Sequence, residues 1–132
     1  MEGSLDEFGG RMRKKVNEKD WIWDGRPGHF VGSDSCYFHL ATQVGGALIS
    51  TIGEYRPVGM TKMWPIGEES DFFYETMVFP CEQLDKDTET SVLSWKELEC
   101  RRQKNYSQAV EEHYKMCEKW SKSKYQRKVL SK

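Results

Sequence analysis

"CYFHLATQVGGALISTIGEY", residues 36–55, is the stretch whose reading decides the fold. Its first half alternates Cys36, Phe38, Leu40, Thr42 and Val44 against Tyr37, His39, Ala41 and Gln43. That period of two belongs to a strand. Gly45-Gly46 can adopt the positive φ of a two-residue hairpin turn, and residues 47–55 then return. Counting outward from the turn pairs Val44 with Ala47, Thr42 with Ile49 and Leu40 with Thr51, an apolar face that meets the core. The opposite face pairs Gln43 with Leu48, Ala41 with Ser50, His39 with Ile52 and Tyr37 with Glu54. It is amphipathic, so it is either half-covered or a binding surface.

The other elements are placed around this hairpin. "DFFYETMVFP" is apolar on both sides, with Phe72, Tyr74 and Val78 on one and Phe73, Met77 and Phe79 on the other. Such strands are central, which puts this one beside the hairpin. "WIWDGRPGHF" opens with a short strand at Trp21 and Trp23 and continues into the turn signals Asp24-Gly25 and Pro27-Gly28. Ser94-x-x-Glu97 matches a capping box and predicts a short helix. Asn105-x-x-Gln108 starts the main helix, on which Tyr106, Ala109, Val110, His113, Met116, Cys117 and Trp120 form one face. The spacing therefore predicts an α+β fold: a small antiparallel sheet of three to four strands with the C-terminal helix packed on one face. Residues 1–20 read as a flexible charged arm, residues 21–120 as a single domain, and residues 121–132 as a basic tail that frays or projects.

Composition narrows the functional classes. The chain has 132 residues, 37% hydrophobic and 13% aromatic, which suffices for one modest core. Twenty basic and 21 acidic residues give a formal net charge of -1, unlike a strongly basic nucleic-acid binder. Four scattered cysteines do not make a disulfide framework. No apolar run approaches the ~20 residues of a membrane span, and the acidic N-terminus does not resemble a signal peptide. No glycine-rich phosphate cradle appears, and nothing names a cofactor.

The chemistry-bearing residues fall into a few groups. Cys36 and His39 have a C-x-x-H spacing, but on a strand that odd separation points them to opposite faces. His113 and Cys117 share one side of a helix, in the middle of an apolar stripe, and read as a core histidine and a buried thiol, not as metal ligands. If the third strand pairs beside residues 47–55, Tyr37, His39, Glu54 and Glu75 converge as a candidate ligand-binding group, with catalysis the less favoured use. The loop "RPVGMTKMWPIGEES" displays Met60, Met63, Trp64 and Ile66. These are a candidate partner-binding surface, or else they cap the sheet. Lys119, Lys122, Lys124, Arg127, Lys128 and Lys132 make the C-terminus basic, with Tyr125 interleaved. Nucleic acid is the disfavoured reading of this run beside a solvated helix end.

"CYFHLATQV", "ISTIGEYRP", "FYETMVFP" and "AVEEHYKMCEKW" together resemble a family of small proteins encoded by tailed bacteriophages, over residues 21–120. The stretch after "YETMVF" departs from that family, which is often cysteine-rich there, by carrying only Cys81 and Cys100. The resemblance implies a phage source and work in the host cytoplasm, but carries no catalytic residue across. The expected function is a phage accessory protein that binds a host or phage protein, for example a defence component, away from membranes. The alternative is a small-ligand or nucleotide-binding protein or enzyme on the polar face of the hairpin.

Overall fold

The computed structural model describes residues 14–15, 21–23, 35–67, 71–82 and 92–130. The glycine and proline turn signals at 24–28 lie outside the described residues, as does all of the N-terminal arm apart from residues 14–15. The strands are β1 (Lys14–Lys15), β2 (Trp21–Trp23), β3 (Cys36–Val44), β4 (Ala47–Tyr55), β5 (Tyr74–Pro80) and β6 (Glu99–Gln103). Two helices follow, α1 (Tyr106–Trp120) and α2 (Ser123–Leu130). The strands form one antiparallel sheet in chain order, β1-β2-β3-β4-β5-β6. The α+β class stands, with more strands than the three or four expected.

The hairpin register is the one the alternation dictates. Val44 lies opposite Ala47, Thr42 opposite Ile49, Leu40 opposite Thr51 and His39 opposite Ile52. Gly45 takes the turn's positive φ of 59°, a conformation glycine adopts without a Cβ clash. β5 pairs along β4, from Ala47↔Pro80 to Gly53↔Tyr74.

α1 covers one face of the sheet. Asn105 caps it, its side-chain oxygen accepting from the Gln108 amide at 2.9 Å. Met116, Cys117 and Trp120 pack on Trp21, Val44, Ala47, Ile49 and Val78. The other face holds a second cluster of Ala41, Leu48, Phe79 and Cys81. A third joins Cys36, Ile52 and Ile66.

Three expectations are corrected. Residues 94–98 form no helix: Ser94 Oγ accepts from the Lys96 amide at 3.2 Å, two residues on and not three, and the chain straightens into β6. β6, "ECRRQ", has no apolar alternation because its helix-facing side chains are polar and bonded. Glu99 accepts from Trp120 Nε1 at 2.9 Å and from Lys119 at 3.0 Å, and Gln103 donates to Glu112 at 3.0 Å. Burial alone would raise the Glu99 carboxyl, but these bonds from Lys119 and Trp120, with Arg101, hold it below its ordinary range.

The basic stretch after Trp120 does not fray. It is α2, and Val129 is buried in the main core. Gln126 ties α2 to the hairpin turn, accepting from the Gly46 amide at 2.9 Å and donating to the Val44 carbonyl at 3.0 Å. Within the arm expected at residues 1–20, Lys14–Lys15 pairs with Trp23 and Ile22 as β1.

Between sheet and α1 runs a buried polar spine. His113 bonds Thr42 Oγ1 through Nε2 at 2.9 Å and Thr51 Oγ1 through Nδ1 at 2.7 Å. Thr51 meets Thr76 at 2.6 Å, and Gln103 Nε2 donates to Thr76 at 3.2 Å. His113, Thr42, Thr51 and Thr76 have no exposed surface. Burial drops the imidazole to about 3, so it is neutral and bonded at both nitrogens. His113 is a core histidine, as the apolar stripe implied. Burial also pushes the neighbouring Cys117 thiol up to about 12, which removes it as a nucleophile near neutral pH.

Candidate functional site

Two candidate groups can now be placed. The first is Tyr37, His39, Glu54 and Glu75, expected to meet if β5 paired with β4. The pairing holds, yet the side chains do not converge. Glu54 has a positive φ of 56°, which breaks the local alternation, and its carboxylate accepts from the Tyr74 hydroxyl at 2.7 Å. Burial, with Glu54 beside it, raises the Tyr74 hydroxyl far above the ordinary phenol value. Gly53 makes that contact available. Tyr74 lies against it, and a Cβ on Gly53 would fall 2.2 Å from the ring.

Glu75 shares the sheet face of Ile52 and His39, opposite to its neighbour Tyr74, but it is 3% exposed and already accepts from Arg102 Nε at 2.9 Å. Its register partner in β4 is Ile52, which lies between it and His39. Adjacent strands are ~4.8 Å apart, so His39 and Glu75 start roughly 10 Å from each other. His39 is exposed and turns its Nε2 to the Cys36 carbonyl. Tyr37 is exposed, with the Arg56 guanidinium 4.6 Å over its ring.

Cys36 also departs from the simple alternation. Its side chain packs on Ile52 and Ile66, and burial, with Glu75 nearby, pushes its thiol up to about 11. Among the described residues, no three His, Cys, Asp or Glu side chains gather as metal ligands do. A cleft of about 180 Å³ opens between β6 and α1, lined by Arg102, Gln103, Gln108, Glu111, Glu112 and Lys115. It includes none of the four expected ligand-binding residues.

The second group, on loop 56–66, is divided by the structure. Ile66 is core, 3% exposed. Met63 is half-buried. Met60 and Trp64 remain 45% and 47% exposed, and Val58 at the loop tip is 94% exposed. The backbone that carries them is pinned at five points. Arg56 N donates to Ser35 O at 2.9 Å, Met60 N to Pro57 O at 2.9 Å, Trp64 N to Tyr55 O at 2.8 Å and Ile66 N to Phe72 O at 2.7 Å. Arg56 Nε adds a bond across the loop to Thr61 O at 3.2 Å. The Pro57 to Met60 turn has Gly59 at φ 83° in its third position, as a type II turn requires. A loop with so many backbone bonds and a buried Ile66 is held in one shape, while Val58, Met60 and Trp64 face water.

No family model, curated protein or solved structure matches this chain. Among the described residues no helix is long and apolar enough to cross a membrane.

Sequence reasoning identified Trp64 and Met60 but missed Val58 and Arg56 beside them. The Pro57-Val58-Gly59 tip was the available signal, since a tight turn forces its central side chain outward.

Proposed function

We propose that the chain is a phage-encoded accessory protein that acts by binding another protein, of host or phage origin, through loop 56–66. The observation that carries this reading is Trp64, half exposed on a backbone fixed by its bond to Tyr55. Exposed large apolar side chains on a fixed frame lose little further entropy on docking. Tryptophan and methionine are over-represented where interfaces concentrate their energy. Arg56, stacked on Tyr37 at the edge of this surface, supplies the polar rim that an interface needs around its apolar centre. Enzymatic and small-ligand readings needed Tyr37, His39, Glu54 and Glu75 in one pocket, and each of those side chains is instead held by a partner of its own: Arg56, the Cys36 carbonyl, Tyr74 and Arg102.

The test uses wild-type and Trp64→Ala proteins as paired baits in lysate of the bacterial host. Any protein lost with the variant is then identified, purified and titrated against both baits. Trp64→Ala is expected to weaken that purified complex by at least about 30-fold, the ~2 kcal/mol of an interface hot spot. Its melting temperature should stay within about 3 °C of wild type, since the ring is half in water. Equal affinity of both baits, or a large fall in melting temperature, contradicts the reading.

A further inference from the structure

We propose that α2 and the end of α1 form a second binding surface, for the phosphate backbone of a nucleic acid, recognised by charge and not by base sequence. From Lys119 to Leu130 the chain has five cations, Lys119, Lys122, Lys124, Arg127 and Lys128, and no acidic residue. In the fold, three of these converge on one ring. The ammonium groups of Lys119, Lys124 and Lys128 lie 5.2, 5.3 and 5.5 Å from the Tyr125 centroid. Tyr125 is itself fixed by Trp120, centroid to centroid 5.2 Å. Lys119 is neutralised by Glu99 at 3.0 Å, whereas Lys122, Lys124 and Arg127 have no ion pair among the described residues.

Helix-end solvation does not account for this arrangement. Cations complement a helix dipole in its last turn. That explains Arg127 and Lys128, which stand in the last turn of α2. It does not explain Lys124, which stands in the first turn, where the dipole repels it. A cation held against the helix dipole beside others gathered on one ring is one that a polyanion would neutralise on binding.

A membrane fits less well, because the apolar side of α2 is already spent. Val129 is buried in the core and Leu130 alone stands exposed at the end of α2, which leaves no apolar stripe to insert among lipids. An acidic protein fits less well too, since protein interfaces have apolar centres depleted of charge. The surface is also distinct from loop 56–66. α2 sits on the hairpin turn at Gly46, and the loop leaves the opposite end of β4 at Tyr55. Nine-residue strands put those ends roughly 30 Å apart. The chain can thus hold a protein at one end and a nucleic acid at the other.

The test is fluorescence anisotropy of a labelled oligothymidylate with the full chain. Three to four neutralised phosphates on a single strand predict that the affinity falls roughly 20- to 50-fold between about 50 and about 200 mM salt. Lys124→Gln/Lys128→Gln should weaken binding about 10-fold or more at the lower salt and flatten that salt dependence. Because both side chains are exposed, the melting temperature should not fall. Lys104→Gln, a cation paired with Asp71 away from α2, should bind like wild type. Vesicles containing phosphatidylserine and a polyglutamate peptide serve as competing polyanions. No oligonucleotide binding up to about 100 µM protein, binding unaffected by the double substitution, or tighter binding to vesicles or polyglutamate overturns the proposal.

Discussion

Replacing His113 by glutamine is expected to cost about 2 kcal/mol at neutral pH and to remove one source of acid sensitivity. The cost follows from the geometry. His113 is wholly buried, and its two nitrogens bond Thr42 and Thr51. Glutamine is shorter across the ring and satisfies one of these hydroxyls, leaving the other short of one buried bond, with only Thr76 beside Thr51 or Cys117 beside Thr42. The pH effect follows from the depressed imidazole, at about 3 when folded against an ordinary 6.5. Below pH 6.5 the unfolded chain binds a proton at this residue that the folded chain refuses. Unfolding therefore takes up a proton, and stability falls as pH falls from about 6.5 towards 3, by up to about 1.4 kcal/mol per pH unit. Above pH 6.5 neither state is protonated there, and the slope vanishes. Other groups titrate in acid as well, so the quantity to measure is the difference between wild-type and variant unfolding free energies. The wild type's advantage should shrink as pH drops from 7 to about 4. Parallel curves would show that His113 is protonated in the fold or bonded otherwise.

Gly53→Ala is expected to destabilise the domain by about 3 kcal/mol, a fall of roughly 10–15 °C in melting temperature. Gly53 is buried, and the missing Cβ would overlap the Tyr74 ring at 2.2 Å. Tyr74 cannot swing away cheaply. Phe38 meets it edge-on at 5.4 Å, and its hydroxyl is committed to Glu54. If the ring is the obstacle, Gly53→Ala/Tyr74→Leu should lose less than the sum of the two single substitutions. Additive losses would place the effect in the backbone of β4 instead. Tyr74 and Glu54 stand where β4 leaves the sheet for loop 56–66, so this site also supports the base of the proposed interface.

The parts of the fold legible in sequence are those written by local rules. The Gly-Gly turn and the alternation on either side of it set eight cross-strand partners, and Asn105 announced the start of α1. β6 and α2 were illegible because their signals are long-range. β6 presents Glu99 and Gln103 to α1, which reads as a polar loop until Lys119, Trp120, Thr76 and Glu112 are brought to meet them. α2 has one buried residue, Val129, and is positioned by Gln126 reaching a turn 80 residues earlier. Missing β6 also hid the partner of Glu75, which looked available on an amphipathic face and is instead consumed by Arg102. One clue was present and unused: Thr42 and Thr51 interrupt the apolar hairpin face, and His113 interrupts the apolar helix stripe. Polar residues at core positions on two facing elements are partners for each other.

The functional reading rests on loop 56–66 being rigid while its apolar side chains are exposed. Amide hydrogen exchange of the free protein, resolved to single residues, tests this most directly. The Trp64 and Ile66 amides, bonded to Tyr55 and Phe72, are predicted to exchange at least about 100-fold more slowly than an unstructured chain, with Met60 also protected. Exchange of all three at unstructured rates would mean a mobile loop without a preformed surface, and would contradict the account.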